Sequence, residues 1–330
     1  MKAWLLDRFE GVGALRLAEM IDPPVPGLGE VLVRVRYAAL NPADRFLAEN
    51  LYPAQPPLPH VLGRDGCGIV ESIGAGIHGL RAGQEVCILR GDAGVQRWGT
   101  FAEYVVVPSE ALVPKPPAWS EPQASAAALV YLTAHQAINQ WGAIPAGTVL
   151  ITGISGGVGI ASLQLAKAYG HRVIGTTRGD AKRDRLAELG AGLLVDPADP
   201  RLKAAVKEFT NGKGVDLIVE TIGGVLFNTI IDTLGYGGRI SVIGALGGNV
   251  PDFNTAKLLF RRVKIGGVLV NDYQGQPARR AWDEVLRLLD SVEARPIVDS
   301  VFPFERLPDA FGKLAEGPFG KVVLQVDPSA

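Results

Sequence analysis

With 330 residues the chain exceeds one ordinary hydrophobic core and is sized for two domains. Its 33 Lys and Arg against 34 Asp and Glu leave a net charge of -1, which excludes the basic surface that would neutralise a nucleic-acid backbone. Charges interrupt the opening Met1 to Arg8 and no apolar run of about 18 residues follows, so neither a signal peptide nor a membrane span is expected and the protein reads as cytoplasmic.

From the N-terminus to about residue 122, short β-like runs alternate with turn signals. Val31 to Val35 follows Pro26-Gly27-Leu28-Gly29, Gly68 to Ile73 precedes Gly74-Ala75-Gly76, and Tyr104 to Val107 stops at Pro108, the punctuation of a mostly β domain. The two cysteines here, Cys67 and Cys87, cannot build a disulfide framework or a four-thiolate metal site and are expected as small buried hydrophobes. Pro122 to Ala137 is Ala-rich with apolar residues at helical spacing, and a βαβ alternation begins at Val149. Strands are expected at Val149–Thr152, Arg172–Thr176, Leu193–Asp196, Val215–Thr221, Arg239–Gly244 and Lys264–Val270, with helices at Ile160–Tyr169, Ala181–Leu189 and Leu202–Thr210. That order predicts an α/β class with a doubly wound parallel sheet. A helix over Ala278–Val292 and β-like runs at Val298–Phe302 and Lys321–Val326 exceed the needs of that sheet and are expected to rejoin the first domain. The predicted domains are therefore 1–122 with 271–330, and 123–270.

Thr152 to Gly159 (Thr-Gly-Ile-Ser-Gly-Gly-Val-Gly) directly follows an apolar strand and opens a helix. A tight turn at positive φ, close approach of backbone to a pyrophosphate and close helix-strand packing all call for glycine, and the helix start then presents N–H groups and a positive dipole end to phosphate. Ser155, Gly156, Gly157 and Val158 are the expected contacts of a dinucleotide cofactor; an ordinary βα turn is the alternative. The second strand ends in Thr176-Thr177-Arg178 with Lys182 and Arg183 just beyond, and no carboxylate stands where a ribose 2′-OH would be held. Hydroxyls and a guanidinium suit a 2′-phosphate, so NADP(H) is expected. Asp180 leaves NAD(H) open, and the basic residues could equally be a solvated helix start.

Further segments extend this pattern: Leu40-Asn41-Pro42-Ala43-Asp44, Leu51-Tyr52-Pro53, Leu62 to Gly68, Gly99 to Tyr104, Leu132-Thr133-Ala134, Gly237-Gly238-Arg239 and Phe319 to Val323. On these the chain resembles the medium-chain dehydrogenase/reductase superfamily, and within it the zinc-free quinone oxidoreductase and zeta-crystallin-like group and its alcohol-dehydrogenase-like neighbours. The resemblance implies a GroES-like mostly β catalytic domain joined to a Rossmann domain. It also implies a homodimer formed by joining sheet edges and a small quinone or enone as substrate; on charge and hydropathy no nucleic acid and no membrane are expected as partners. Zinc-dependent relatives carry a cysteine near the segment matching Asn41 to Asp44 and a histidine and acid after the glycine matching Gly63. Here that cysteine is missing and Arg64-Asp65 follows the glycine. A guanidinium has no lone pair for zinc, so no metal is expected, and His60, His78, His135 and His171 lack ligand spacing.

The same resemblance points to Asn41 and Tyr52 as hydrogen-bond donors to the substrate, with a turn residue and half-buried packing as their alternatives. Arg64 could stabilise an oxyanion or pair with Asp44 or Asp65. Thr133, Gly244, Ala245, Val268, Leu269 and Val270 are expected near the nicotinamide end, the last three with core packing as the alternative, Ile222 among the cofactor contacts, and Lys321 at the cofactor phosphates or simply on the surface. Hydride transfer from NADPH to a quinone or conjugated carbonyl is the leading expectation. An NAD(P)-dependent alcohol dehydrogenase without zinc and a non-catalytic NADPH-binding protein of crystallin type are the alternatives.

Overall fold

Strands here are read from burial as well as pairing. Alternating burial along Tyr104–Pro108 marks a strand with one face in a core, whereas Thr148–Ile151 is buried at every position, as the centre of a covered parallel sheet requires. The computed structural model describes residues 1–19, 22–142, 145–248 and 254–329. The first half runs β1 (Ala3–Leu6), β2 (Leu15–Ala18), β3 (Glu30–Ala39), α1 (Pro42–Ala48), β4 (His60–Val61), β5 (Asp65–Ile73), β6 (Glu85–Ile88), β7 (Tyr104–Pro108), β8 (Leu112–Pro114), α2 (Glu121–Ser125) and α3 (Ala128–Asn139). There follow β9 (Thr148–Ile151), α4 (Gly157–Ala168), β10 (Arg172–Thr176), α5 (Ala181–Glu188), β11 (Leu193–Val195), α6 (Leu202–Phe209), β12 (Val215–Glu220), α7 (Gly224–Ile230), β13 (Leu234–Val242), α8 (Ala256–Arg261) and β14 (Lys264–Gly267). The tail is α9 (Gly275–Ser291), β15 (Val298–Pro303), α10 (Leu307–Ala315) and β16 (Lys321–Gln325).

Two compact units divide these elements: Met1–Leu129 with Asn271–Trp282 and Arg295–Ala330, and Val130–Val270 with Asp283–Ala294. In the first, strands order as β15-β16-β3-β5-β6-β8, with β7 also paired to β3, beside a small β2-β1-β4 sheet. Leu6, Val33, Leu40, Leu47, Leu62, Ile88 and Leu324 form its core, where Phe101 meets Phe311 edge to face at 6.0 Å. In the second, the order is β11-β10-β9-β12-β13-β14 with every pairing parallel. By sequence this is 3-2-1-4-5-6, the doubly wound dinucleotide-binding order, whose direction reverses between β9 and β12.

The unit boundary differs from the expected residue 122, and side-chain chemistry explains why. Residues 121–129 are tied to the first unit: Arg36 pairs with Glu121 at 3.0 Å and the Leu129 N–H donates to Asp65 Oδ1 at 2.9 Å. Residues 283–294 belong instead to the second unit, where Glu284 accepts from the Tyr169 hydroxyl at 2.9 Å. β14 stops at Gly267 rather than Val270, and Val270–Asp272 is a 3-10 turn. Helices α1, α7, α8 and α10 were not foreseen. They are short and hidden among turn-like residues: Pro42 sits in the first turn of α1, and the Asp44 carboxylate accepts the Asn41 N–H at 2.8 Å. Among the described residues no helix is long and apolar enough to cross a membrane.

Candidate functional site

In the second unit the loop after β9 is built around Gly153, whose φ of 58° lies in the left-handed region. A Cβ there would also stand 2.9 Å from Ile222 Cδ1 and Thr221 Oγ1. The Gly153 N–H donates to Thr176 Oγ1 at 3.2 Å and the Ile154 N–H to Thr176 O at 3.1 Å, so the loop is pinned to the end of β10. Thr221 donates twice to Thr152, its N–H to Thr152 Oγ1 and its Oγ1 hydroxyl to Thr152 O, both at 2.8 Å. These bonds lock together the ends of β9 and β12, the two strands flanking the reversal of order. Gly156 caps α4 without a side chain, so no side chain fills the space at the helix start. Ser155, Gly156, Gly157 and Val158 are half-buried around it.

The residues fit a dinucleotide. The helix start is bare, a Cβ on Gly156 would meet nothing closer than 3.5 Å, and Thr177 Oγ1 is buried with no hydrogen-bond partner. Thr176 is buried and committed to the loop; Arg178 is exposed and Lys182 half-buried. Asp180, the nearest acid, lies against Arg183 at 3.2 Å. Ile222, Gly244 and Ala245 are half-buried and follow β12 and β13. Val268 donates its N–H to Val242 O at 2.8 Å, whereas Leu269 is exposed and Val270 begins the 3-10 turn. Thr133 is buried in α3. Glu220, which sequence reading passed over, ends β12 fully buried and accepts the N–H of Ile222 at 2.7 Å and that of Gly223. Burial pushes its carboxyl up, and those N–H groups oppose the shift. A buried acid ending an apolar strand was the available signal.

The first unit holds a separate buried polar cluster. Arg64 Nε donates to Asp44 Oδ1 at 3.2 Å and its Nη2 to Ala43 O at 3.0 Å, while its guanidinium lies 4.2 Å from the Tyr52 ring centroid. Lys321 Nζ donates to Asn41 Oδ1 at 2.6 Å and to Asp65 Oδ2 at 3.0 Å, and Asn41 Nδ2 donates to the same carboxylate oxygen at 3.0 Å. Asp65 Oδ1 takes the Leu129 N–H. Burial pushes the Asp44 carboxyl up, opposed by Arg64 and by the Asn41 N–H.

Two expectations change on this geometry. Lys321 is neither on the surface nor free to reach phosphates: it is 5% exposed and spent on Asn41 and Asp65. Asn41 has its carboxamide oxygen on Lys321 and its amide on Asp65, with a longer contact to Ala39 O, so it joins cluster members instead of presenting a free donor. Of the two roles open to Arg64, the geometry shows the ion pair, with Asp44. Tyr52 stays half-buried, held through its ring face.

Comparison with known proteins agrees with both halves. Residues 27–117 match the alcohol dehydrogenase GroES-like domain, and residues 157–291 match the model described as zinc-binding dehydrogenase. Human quinone oxidoreductase is 25% identical over 98% of this chain and 97% of its own. A crystal structure of an NAD-dependent alcohol dehydrogenase superposes with a TM-score of 0.89 at 33% identity, covering 99% of this chain and all of that one. A mycobacterial protein solved with NADPH superposes with a TM-score of 0.89 at 27% identity, covering 99% of this chain and 100% of that one. With a GroES-like β unit, a parallel sheet in Rossmann order and end-to-end matches of this kind, the chain belongs to the medium-chain dehydrogenase/reductase family of NAD(P)-dependent oxidoreductases.

Proposed function

We propose that the protein reduces a quinone or another conjugated carbonyl with NADPH and without a metal. The observation that carries this reading is the Arg64–Asp44 pair. At the position where zinc-dependent relatives place a histidine ligand, a guanidinium sits 3.2 Å from a carboxylate that is itself fully buried. A cation that only donates hydrogen bonds repels Zn²⁺ and occupies the acid beside it. Without a Lewis acid, a simple carbonyl loses several kcal/mol of polarisation. A conjugated acceptor spreads incoming charge over its own π-system and asks the protein mainly for positioning and a donor.

NADPH, when bound, supplies a hydride. The chain's residues do the rest: the bare start of α4 and the Gly153 turn take the pyrophosphate, and the unpartnered Thr177 hydroxyl and exposed Arg178 take the 2′-phosphate. Tyr52, its ring fixed under Arg64, offers its hydroxyl to the oxygen on which charge develops.

Turnover tests the reading: NADPH consumption with a panel of quinones and enones, against NAD(P)⁺ reduction with alcohols, both with chelator present. Reduction of the conjugated panel supports it. Activity confined to alcohols favours a metal-free alcohol dehydrogenase instead, and tight NADPH binding with no turnover favours a non-catalytic binder. For the cofactor, Arg178→Ala is expected to weaken NADPH about tenfold, the low end for a charge-assisted bond, and to leave NADH unchanged. Equal affinities of the wild type for the two cofactors would sink the NADPH preference.

A further inference from the structure

Five charged side chains are buried in the first unit among the described residues: Asp44, Asp65, Arg64, Arg90 and Lys321. Four of them cancel, Arg64 against Asp44 at 3.2 Å and Lys321 against Asp65 at 3.0 Å. His60 adds no charge at neutral pH, because burial drops its imidazole to about 4. Arg90 is the weakly paired one. It is 4% exposed, and its carboxylate partner among the described residues, Asp92, meets it only at 3.9 Å and is one-third exposed. One guanidinium nitrogen donates to the neutral carboxamide of Asn271, and Nε is buried with no partner at all. A buried cation in this state is expensive unless something anionic completes it.

Arg90 also lines a cavity of about 180 Å³, with Gly91, Asp92, Arg97, Glu110 and Gln274 among its other walls. Of the other charged walls, Arg97 is already paired with Glu30, and Glu110 is exposed. The volume is below the roughly 300–1,000 Å³ of a whole ligand pocket, so it suits one end of a small molecule.

We propose that this cavity binds the carboxylate of a small organic acid, with the Arg90 guanidinium as its donor. As the place where a reducible acceptor carries its anionic group, the site rests on the reductase reading above; as a carboxylate site it does not. Carboxylate accepts charge-assisted bonds from guanidinium and would complete the pairing of a buried cation whose carboxylate contact is long and partly exposed. The substrate class that follows is a conjugated carbonyl bearing a carboxylate.

Two measurements separate these levels. Binding of levulinate and of methyl levulinate to the protein, read by ligand-observed NMR, should favour the acid at least tenfold. Arg90→Met should abolish that preference and Arg90→Lys should reduce it, with circular dichroism confirming the fold. In turnover with NADPH, kcat/KM for 4-oxopent-2-enoate should exceed that for its methyl ester by a similar factor, and Arg90→Met should remove the difference. Equal binding of acid and ester by the wild type, or a preference that survives in Arg90→Met, would overturn the site. If Arg90→Met does not fold, the wild-type ratio and Arg90→Lys still decide it. Carboxylate binding without turnover of either acceptor would refute the reductase reading and leave the site standing.

Discussion

His60 is a neutral imidazole placed where a charge would be costly. It pairs with Leu6 at a buried sheet position, is 1% exposed, and its Nε2 has no hydrogen-bond partner. Desolvation, with Arg64 adding to it, lowers its pKa from 6.5 to about 4. Between those values the unfolded chain takes up a proton that the folded one refuses. The stabilisation is therefore complete above pH 6.5 and is lost as pH falls toward 4, by about 3 kcal/mol in full. Urea unfolding of wild type and His60→Gln at pH 7.5 and pH 4.5 checks this, and the variant should lose less stability on acidification. An identical loss in both would show that His60 is not the titrating group. The Asp65 cluster illustrates the complementary case, in which two donors, Lys321 and Asn41, meet one carboxylate oxygen and make burial of the charge tolerable.

At the scale of the element, α4 and its loop separate two uses of glycine. A Cβ on Gly159 would lie 2.5 Å from the Gly153 carbonyl oxygen and 2.6 Å from Ile154 Cα, both backbone atoms that cannot step aside. A Cβ on Gly156 has its closest neighbour at 3.5 Å, at a φ of -78° open to any residue. Gly159→Ala should therefore destabilise the protein by about 1–3 kcal/mol, and Gly156→Ala by about 1 kcal/mol or less. NADPH affinity should respond in the reverse order relative to stability, because on the proposed binding mode a methyl at 156 would enter the space assigned to phosphate. Thermal melts and cofactor titrations of the two variants distinguish these outcomes. Comparable melting temperatures for both would contradict the packing role assigned to Gly159.

At the scale of the whole molecule, the outer edge of the parallel sheet is the feature a single copy leaves unfinished. β14 is the terminal strand, its Ile265 is exposed, and Leu259, Phe260 and Leu269 are exposed on either side of it in sequence. An apolar free edge invites pairing. We propose that a second copy covers it, edge to edge, in a two-fold dimer. Light scattering should give twice the chain mass of 34.9 kDa, and Ile265→Lys with Phe260→Glu should return the mass to one chain while each unit stays folded. A wild-type monomer at micromolar concentration would rule the dimer out.

Local chemistry wrote much of this protein into its sequence. The glycine loop and the strand-helix alternation after Val149 are short-range patterns, since periodicity and turn residues are decided by neighbours in the chain. What depended on tertiary structure was the fate of polar groups far apart in sequence. Lys321 looked like a surface or phosphate lysine until β16, paired antiparallel to β3, put its ammonium 280 positions away on Asn41. Arg90, which directly follows the apolar run Val86 to Leu89, is set apart only by burial, which leaves it one long carboxylate contact and an unpartnered Nε. Burial and pairing of charges are properties of the folded whole: the cost of desolvation and the partner that offsets it both arise only when distant segments close around the group.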